Sequence, residues 1–175
     1  MSKPILLFSG IPGSGKSSYG RWLARTKGYL HVDFDHGDLE RHSLLDSFRE
    51  VESSGPERFI AQLLRIDTPV CLDWGFPPHC LWIVRRLVGA GVELWWFEAD
   101  RGFAKRHFFD RGNVSEAAFE EQMANIETSR RDIMEVVGPH IVHALKSDGT
   151  HVPCEEIYAQ MFPDVVVVMD RKSAN

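Results

Sequence analysis

Residues 5–17 read Ile5-Leu6-Leu7-Phe8-Ser9-Gly10-Ile11-Pro12-Gly13-Ser14-Gly15-Lys16-Ser17. The apolar run Ile5–Ser9 predicts a buried β-strand. The glycine-rich segment after it matches the Walker A pattern G-x-x-x-x-G-K-S/T, whose backbone curls so that successive N–H groups point at one anion. Because a helix is expected to follow, its positive N-terminal end faces the same anion. The stretch therefore predicts a phosphate-binding loop at a strand-to-helix turn.

The side chains of this loop suggest the ligand. A lysine in the position of Lys16 reaches the β- and γ-phosphates of a nucleotide, and a hydroxyl in the position of Ser17 holds Mg²⁺. The residues expected to surround the nucleotide phosphates are Gly10, Ile11, Pro12, Gly13, Ser14, Gly15, Lys16, Ser17 and Ser18. ATP and Mg²⁺ are the expected ligands.

Short apolar runs recur along the rest of the chain and alternate with segments of helical spacing. The further predicted strands are Tyr29–Val32, Val70–Leu72, Val92–Phe97 and Ile141–Leu145. Ser115 stands where a helix should begin, and Gly138 stands where it should end. Alternation of this kind is typical of an α/β protein with a parallel sheet.

Length and composition limit the possible classes of protein. A chain of 175 residues is about one domain. The domain is predicted to span residues 1–162, followed by a tail at 163–175. Val165–Met169 in this tail is a candidate for an extra edge strand. The formal charge of -5 offers no basic surface for nucleic acid. The three cysteines lack C-x-x-C spacing, which argues against a disulfide framework or a zinc site. No apolar run is long enough to span a membrane, so a cytoplasmic protein is expected.

Two acids follow the second predicted strand. The two-residue repeat of a strand puts Asp33 and Asp35 on one face, near the carboxyl edge of the sheet where ligands bind. One acid there can hold Mg²⁺ through water while the other accepts the proton of an attacking hydroxyl. Asp35 is the predicted general base and Asp33 is the alternative. In a purely structural interpretation, one of them or Asp38 caps the helix that begins near Leu39.

Later segments supply further candidates for the same edge. Asp73 ends the third strand and fits an acid of the Walker B type near Mg²⁺. The loop Trp74–His79 carries large aromatic side chains and is expected to form a wall of the acceptor pocket. Arg106 and Arg111 follow the fourth strand, where lid arginines cover the nucleotide and stabilise charge on the transferring phosphoryl group. A solvated basic helix end is the alternative interpretation.

These motifs resemble those of the P-loop kinase-like family, which is similar to the kinase domain of polynucleotide kinase, to chloramphenicol phosphotransferase and, more distantly, to shikimate and gluconate kinases. The residues that carry the resemblance are Phe8–Ser18, Asp33, Asp35, Val70–Phe76, Arg106 and Arg111. The spacing of the two acids after the second strand is closer to that of shikimate kinases than to that of polynucleotide kinases.

The resemblance implies a P-loop NTPase fold, with five parallel strands and helices on both faces, that binds ATP as phosphoryl donor. It makes Lys16 and Ser17 the phosphate and Mg²⁺ residues, Asp35 the base, and Arg106 and Arg111 the lid cations. The expected activity is phosphoryl transfer to a hydroxyl of a small molecule.

Two other functions stay open on the sequence alone. A 5′-hydroxyl polynucleotide kinase shares the motifs, but the region 33–46 carries only Arg41 as a basic group other than histidine, which argues against nucleic acid. A regulatory module that hydrolyses ATP slowly would bind the nucleotide without an acceptor.

Overall fold

The computed structural model describes residues 3–110 and 115–163. Its strands are β1 (Ile5–Gly10), β2 (Leu30–Asp33), β3 (Val70–Asp73), β4 (Glu93–Glu98) and β5 (Ile141–His143). Every pairing between these strands is parallel, and they lie in the order β2-β3-β1-β4-β5. The predicted parallel α/β sheet of five strands is therefore confirmed.

Helices connect the strands. They are α1 (Lys16–Lys27), α2 (Asp38–Arg41), α3 (Leu45–Ser54), α4 (Glu57–Arg65), α5 (Leu81–Gly89), α6 (Arg101–Phe109), α7 (Glu116–Val137) and α8 (Cys154–Met161). Short 3-10 turns at Phe34–His36 and Pro78–Cys80 follow β2 and β3. The last strand is shorter than predicted, because Leu145 leaves the sheet and pairs antiparallel with His151 instead.

The hydrophobic core lies on both faces of the sheet, as the period of a strand requires. Leu6 and Phe8 of β1 pack on one side with Tyr19 and Leu23 of α1. Leu7 lies in the opposite cluster, which includes apolar side chains of α3, α4, α5 and α7. Strands buried on both faces read as continuous apolar runs. The helices therefore cover both faces, as the resemblance implied.

The register of the strands gathers the polar residues at one edge. Asp33 of β2 lies beside Asp73 of β3, and Asp73 lies beside Phe8 of β1. The loop predicted to bind phosphate leaves the same edge after Gly10. Because parallel strands end on one side of the sheet, segments distant in the sequence meet there.

The N-terminus of α7 begins as its sequence predicts. The Ser115 hydroxyl accepts a hydrogen bond of 3.2 Å from the backbone N–H of Ala118. We expect Ser115→Ala to lower the free energy of unfolding by about 1 kcal/mol, because that N–H loses its partner. Thr128→Ala within the same helix is the control, and its effect should be smaller or stabilising because alanine is the better helix former. Urea denaturation of both variants measures the difference, and equal losses would contradict the capping role.

No helix within residues 3–110 and 115–163 is long and apolar enough to cross a bilayer. The predicted edge strand Val165–Met169 lies outside the described residues. The predicted lid arginine Arg111 also lies outside them.

Candidate functional site

A cavity of about 530 Å³ opens at the carboxyl edge of the sheet. The loop after β1 contributes Gly10, Pro12, Gly13, Lys16 and Ser17 to its lining. Asp35 and Asp73 line it as well, together with a wall of Phe76, Pro77, Trp96, Phe108 and Ile126. The structure thus brings the predicted phosphate-binding loop and two of the predicted acids into one space.

The backbone of the loop is fixed by its neighbours. Gly13 has a φ of 79°, and a Cβ at this position would overlap the carbonyl oxygen of Ala104 in α6. The N–H of Ile11 donates to the carbonyl of Phe97 at 3.0 Å, and the N–H of Ser14 donates to the carbonyl of Ile11 at 3.1 Å. A side chain at Gly13 would therefore both strain the backbone and push the loop away from α6.

Lys16 is held over this loop. It is 9% exposed, and its Nζ donates to the carbonyl oxygens of Gly10 at 3.3 Å and Ile11 at 3.1 Å. The first turn of α1 begins at Lys16, and the first N–H groups of a helix have no intrahelical acceptor. The ammonium group and these N–H groups together form a positive end to the cavity.

The other predicted phosphate contacts are placed differently. Ile11 and Ser14 are loop residues whose side chains are buried, and Gly15 is the N-cap residue of α1. Ser18 is exposed on α1, where its hydroxyl accepts a hydrogen bond of 3.5 Å from Arg21. None of these side chains lines the cavity within the described residues.

Asp73 is a buried carboxylate that stays ionised. Burial alone would raise its pKa, but the hydrogen bond with His31, the charge of Lys16 and the hydrogen bond from Ser17 lower the pKa of Asp73 below its usual range. Ser17 and Asp73 therefore place a hydroxyl and an anionic carboxylate side by side. Oxygen ligands of this kind fit Mg²⁺.

Asp33 and Asp35 separate where β2 ends. Asp33 is 6% exposed, and its Oδ1 accepts from the backbone N–H of Asp35 at 3.0 Å, which turns the chain into the 3-10 turn. Asp35 consequently faces the cavity, whereas Asp33 does not line it. Burial, followed by the negative charges of Asp33 and Asp73, raises the pKa of Asp35 above its usual range, and Lys16 and His36 only partly offset this.

Asp33 is held in place by its neighbours. His36 Nδ1 lies 2.9 Å from Asp33 Oδ2, and this hydrogen bond raises the pKa of His36. The backbone N–H of Asp33 donates to Asp38 Oδ2 at 3.0 Å. The alternative interpretation that Asp38 caps the following helix is therefore wrong, because α2 begins at Asp38 itself after Gly37. The Asp38 carboxylate instead binds the backbone at the end of β2.

His31 belongs to this cluster, although it is not among the residues predicted for the site. Its Nε2 lies 3.4 Å from Asp73 Oδ2, and its ring fits against Gly20 of α1, where a Cβ would approach the ring to 2.5 Å. One ligand-type atom from each of His31, Asp33 and Asp73 lies within 4.8 Å of the others. The signal was available, because His31 and Asp33 share a face of β2 by the two-residue period.

The polar residues that α7 adds to the cavity were not predicted. Gln122 and Asn125 of α7 line it beside the apolar wall. Their spacing of three residues puts both amides on one face of the helix. Their sequence context carries no motif, so only the packing of α7 over the sheet edge reveals them.

Of the two predicted lid cations, Arg106 lies within the described residues. Arg106 is exposed on α6, and its guanidinium lies 4.4 Å from the centre of the Phe103 ring. It does not line the cavity within residues 3–110 and 115–163. Its role as a lid cation stays a prediction, as does that of Arg111.

The charge of Asp33 gives a testable effect on Asp35. Asn in place of Asp33 keeps an oxygen that accepts from the Asp35 N–H and removes the negative charge, so we expect Asp33→Asn to lower the pKa of Asp35. Deprotonation of Asp35 should then be complete at a lower pH. An NMR titration of the Asp35 carboxyl carbon measures this. Asp46→Asn, on the exposed surface of α3, serves as the control, and an unchanged or higher pKa in Asp33→Asn would contradict the charge effect.

Comparisons with known proteins address the fold. No protein-family model matches the chain, and a search of curated proteins finds no similar sequence. The structure is similar to that of a shikimate kinase from Acinetobacter baumannii in complex with shikimate, with a TM-score of 0.62, 16% identity, and coverage of 93% of this chain and 95% of that one. A shikimate kinase from Bacteroides thetaiotaomicron gives a TM-score of 0.54 at 15% identity, covering 91% of this chain and 96% of that chain.

A further similarity extends over nearly the whole chain. A gluconokinase from Sinorhizobium meliloti gives a TM-score of 0.51 at 15% identity, with coverage of 98% of this chain and 97% of that chain. Likeness at this level of identity is evidence about architecture. Taken with the five-stranded sheet and the loop between β1 and α1, it shows that the chain has the fold of the P-loop kinases.

Proposed function

We propose that the protein is an ATP- and Mg²⁺-dependent kinase that transfers a phosphoryl group to a hydroxyl of a small molecule. The observation that carries this proposal is the shared cavity, which has Lys16 and Ser17 at one end and Asp35 facing the same space. A donor site and a base within one small cavity are the arrangement that phosphoryl transfer to an alcohol requires.

The donor phosphates are held by the loop and the start of α1. Lys16 exchanges its hydrogen bonds with the Gly10 and Ile11 carbonyls for bonds with phosphate oxygens, which are stronger because both partners are charged. The backbone N–H groups at the start of α1 bind the same anion. The fixed φ angles of the loop keep these donors in place before the nucleotide arrives.

Ser17 and Asp73 are the residues that would hold Mg²⁺. When bound, the ion neutralises charge on the phosphates and so favours the transition state. His31 acts on this pair indirectly, because its hydrogen bond orients the Asp73 carboxylate and keeps it anionic.

Asp35 is the proposed base. A carboxylate whose pKa is raised by burial and by neighbouring negative charges accepts a proton more readily than an ordinary one. Asp33 serves as a positioning residue, since its carboxylate is bonded to His36 and to the Asp35 backbone and does not line the cavity. The geometry therefore supports Asp35 over Asp33 in this role.

The size of the cavity favours a small acceptor over a polynucleotide. A volume near 530 Å³ is in the range of sites that enclose a small molecule. The net charge of -5 also opposes the binding of a polyanion.

The experiment is transfer of labelled γ-phosphate from Mg·ATP to a fractionated pool of metabolites and, separately, to an oligonucleotide with a free 5′-hydroxyl. Wild type, Asp35→Asn and the surface variant Asp67→Asn are run in parallel. Label in a metabolite with wild type and Asp67→Asn, and its loss with Asp35→Asn, is the expected result. Label on the oligonucleotide would establish the polynucleotide kinase instead, and label found only in inorganic phosphate would favour the regulatory ATPase.

A further inference from the structure

The acceptor end of the cavity has a wall of aromatic side chains. Phe76 is 5% exposed and Trp96 is 2% exposed, and their ring centres lie 6.4 Å apart. Trp74 packs on Phe76 at 5.7 Å and stacks on Phe34 at 5.3 Å. Because each ring is supported by the next, the wall offers a rigid apolar surface to a ligand.

The polar groups beside this wall are uncharged amides. Gln122 and Asn125 each present a donor and an acceptor, which suits hydroxyl and amide groups of a ligand. Both belong to α7, whose two arginines, Arg130 and Arg131, are not part of the lining. Arg130 pairs with Glu98 at 3.0 Å.

The charges in the cavity oppose an acidic ligand. Asp35 and Asp73 both line it, and Asp33 is the neighbour of Asp73 in the sheet. Among the residues that the structure describes, Lys16 and His36 are the basic residues of the lining. Lys16 lies at the phosphate end, and His36 is bonded to Asp33 at 2.9 Å, so its charge is balanced by that carboxylate.

A carboxylate on the acceptor would therefore lack a partner in this part of the structure. Proteins usually bind carboxylates through the paired N–H groups of an arginine. Within residues 3–110 and 115–163, the lining of the cavity has none. In the Mg·ATP complex the ion would offset part of the charge of the phosphates and of Asp73, so the repulsion of an acceptor carboxylate comes chiefly from Asp35, because like charges at short range in a partly desolvated site repel strongly.

Resting on the proposed function, we infer that the acceptor is an alcohol without an acidic group, whose apolar face packs against Phe76 and Trp96 while its polar groups bind Gln122 and Asn125. Shikimate and gluconate, which the names of the structural neighbours give as acceptors, are both carboxylates. The acceptor inferred for this chain therefore belongs to a different chemical class. The shared fold forms the donor site. The aromatic wall and the two amides of α7 determine which acceptor binds.

Matched pairs of acceptors test the inference. Shikimate is compared with its uncharged methyl ester, and gluconate with glucitol, alongside a panel of cyclic alcohols without acidic groups. Binding to the protein in Mg·ADP is followed by saturation-transfer NMR, and phosphorylation in Mg·ATP is followed by ADP release. We expect the uncharged member of each pair to bind at least about tenfold more tightly than the corresponding acid.

A pair of arginine variants separates local charge from overall charge. Asn125→Arg puts a cation beside the acceptor wall and should improve binding of the acids relative to their uncharged partners. Ala124→Arg adds the same charge at an exposed position on a different face of α7, outside the lining, and should leave the wild-type preference in place.

The outcomes distinguish this inference from the proposed function. Equal or tighter binding of the acids, or their preferred phosphorylation, would overturn the inference and leave the kinase in place. Binding of uncharged alcohols without phosphorylation of any of them would count against the proposed kinase activity. It would still support the inferred preference of the cavity for uncharged alcohols over acids. If neither member of any pair and no alcohol of the panel binds, the inference fails.

Discussion

Replacement of Asp35 by asparagine is expected to lower the rate of phosphoryl transfer by about 10²- to 10⁴-fold, the usual contribution of a general base. Asparagine has nearly the same shape and cannot take the proton of the acceptor hydroxyl. Binding of Mg·ATP should change little, because the phosphates are held by the loop and Lys16. Single-turnover kinetics measure the rate, and calorimetric titration measures the affinity.

Asp33→Asn is the matched variant for this experiment. It removes a neighbouring carboxylate while keeping an acceptor for the Asp35 N–H, so its transfer rate should fall less than that of Asp35→Asn. The reverse order, with full activity in Asp35→Asn and a large loss in Asp33→Asn, would move the base to Asp33. Both variants should keep the thermal unfolding profile expected for an intact sheet.

Lys16→Ala is expected to weaken binding of Mg·ATP by about 10- to 100-fold, because hydrogen bonds between charged partners contribute about 1.5–3 kcal/mol. The Lys16 ammonium group lies over the loop and is mostly buried. The other basic residue of the described lining, His36, is paired with Asp33 and does not replace it. The variant should also raise the pKa of Asp73, which the charge of Lys16 helps to lower.

Lys27→Ala removes the same type of side chain from the other end of α1 and is the control. Lys27 lies over the ring of Tyr158 at 4.5 Å, remote in the sequence from the loop, so Mg·ATP affinity should stay at the wild-type value. Calorimetric titration with Mg·ATP and Mg·ADP compares the two variants. Wild-type affinity in Lys16→Ala would refute the assignment of the loop as the phosphate site.

Much of the fold follows from the sequence because its strands are buried on both faces. Runs such as Ile5–Ser9 and Val92–Phe97 have few polar interruptions, and they correspond to β1 and β4 within about one residue at each end. The loop between β1 and α1 has a fixed pattern of residue types, so its position was also predictable.

The site was less predictable where a strand gives way to a turn, because the two-residue repeat of side chains ends there. Alternation along a strand predicts that Asp33 and Asp35 share a face, but β2 ends at Asp33 and a 3-10 turn carries Asp35 into the cavity. Asn125 lines the cavity only because α7 crosses the sheet edge. Contacts of this kind depend on the packing of whole elements, which no short pattern records.

The contact between His31 and Gly20 restricts which substitutions these two positions can accept during evolution. Gly20 lies on α1 and His31 on β2, and any side chain at position 20 would collide with the imidazole ring. A lineage that acquires even alanine at position 20 must first lose or displace the histidine, and with it the hydrogen bond to Asp73. Across an alignment of homologues, these two positions should therefore change together, and the histidine should occur only opposite glycine.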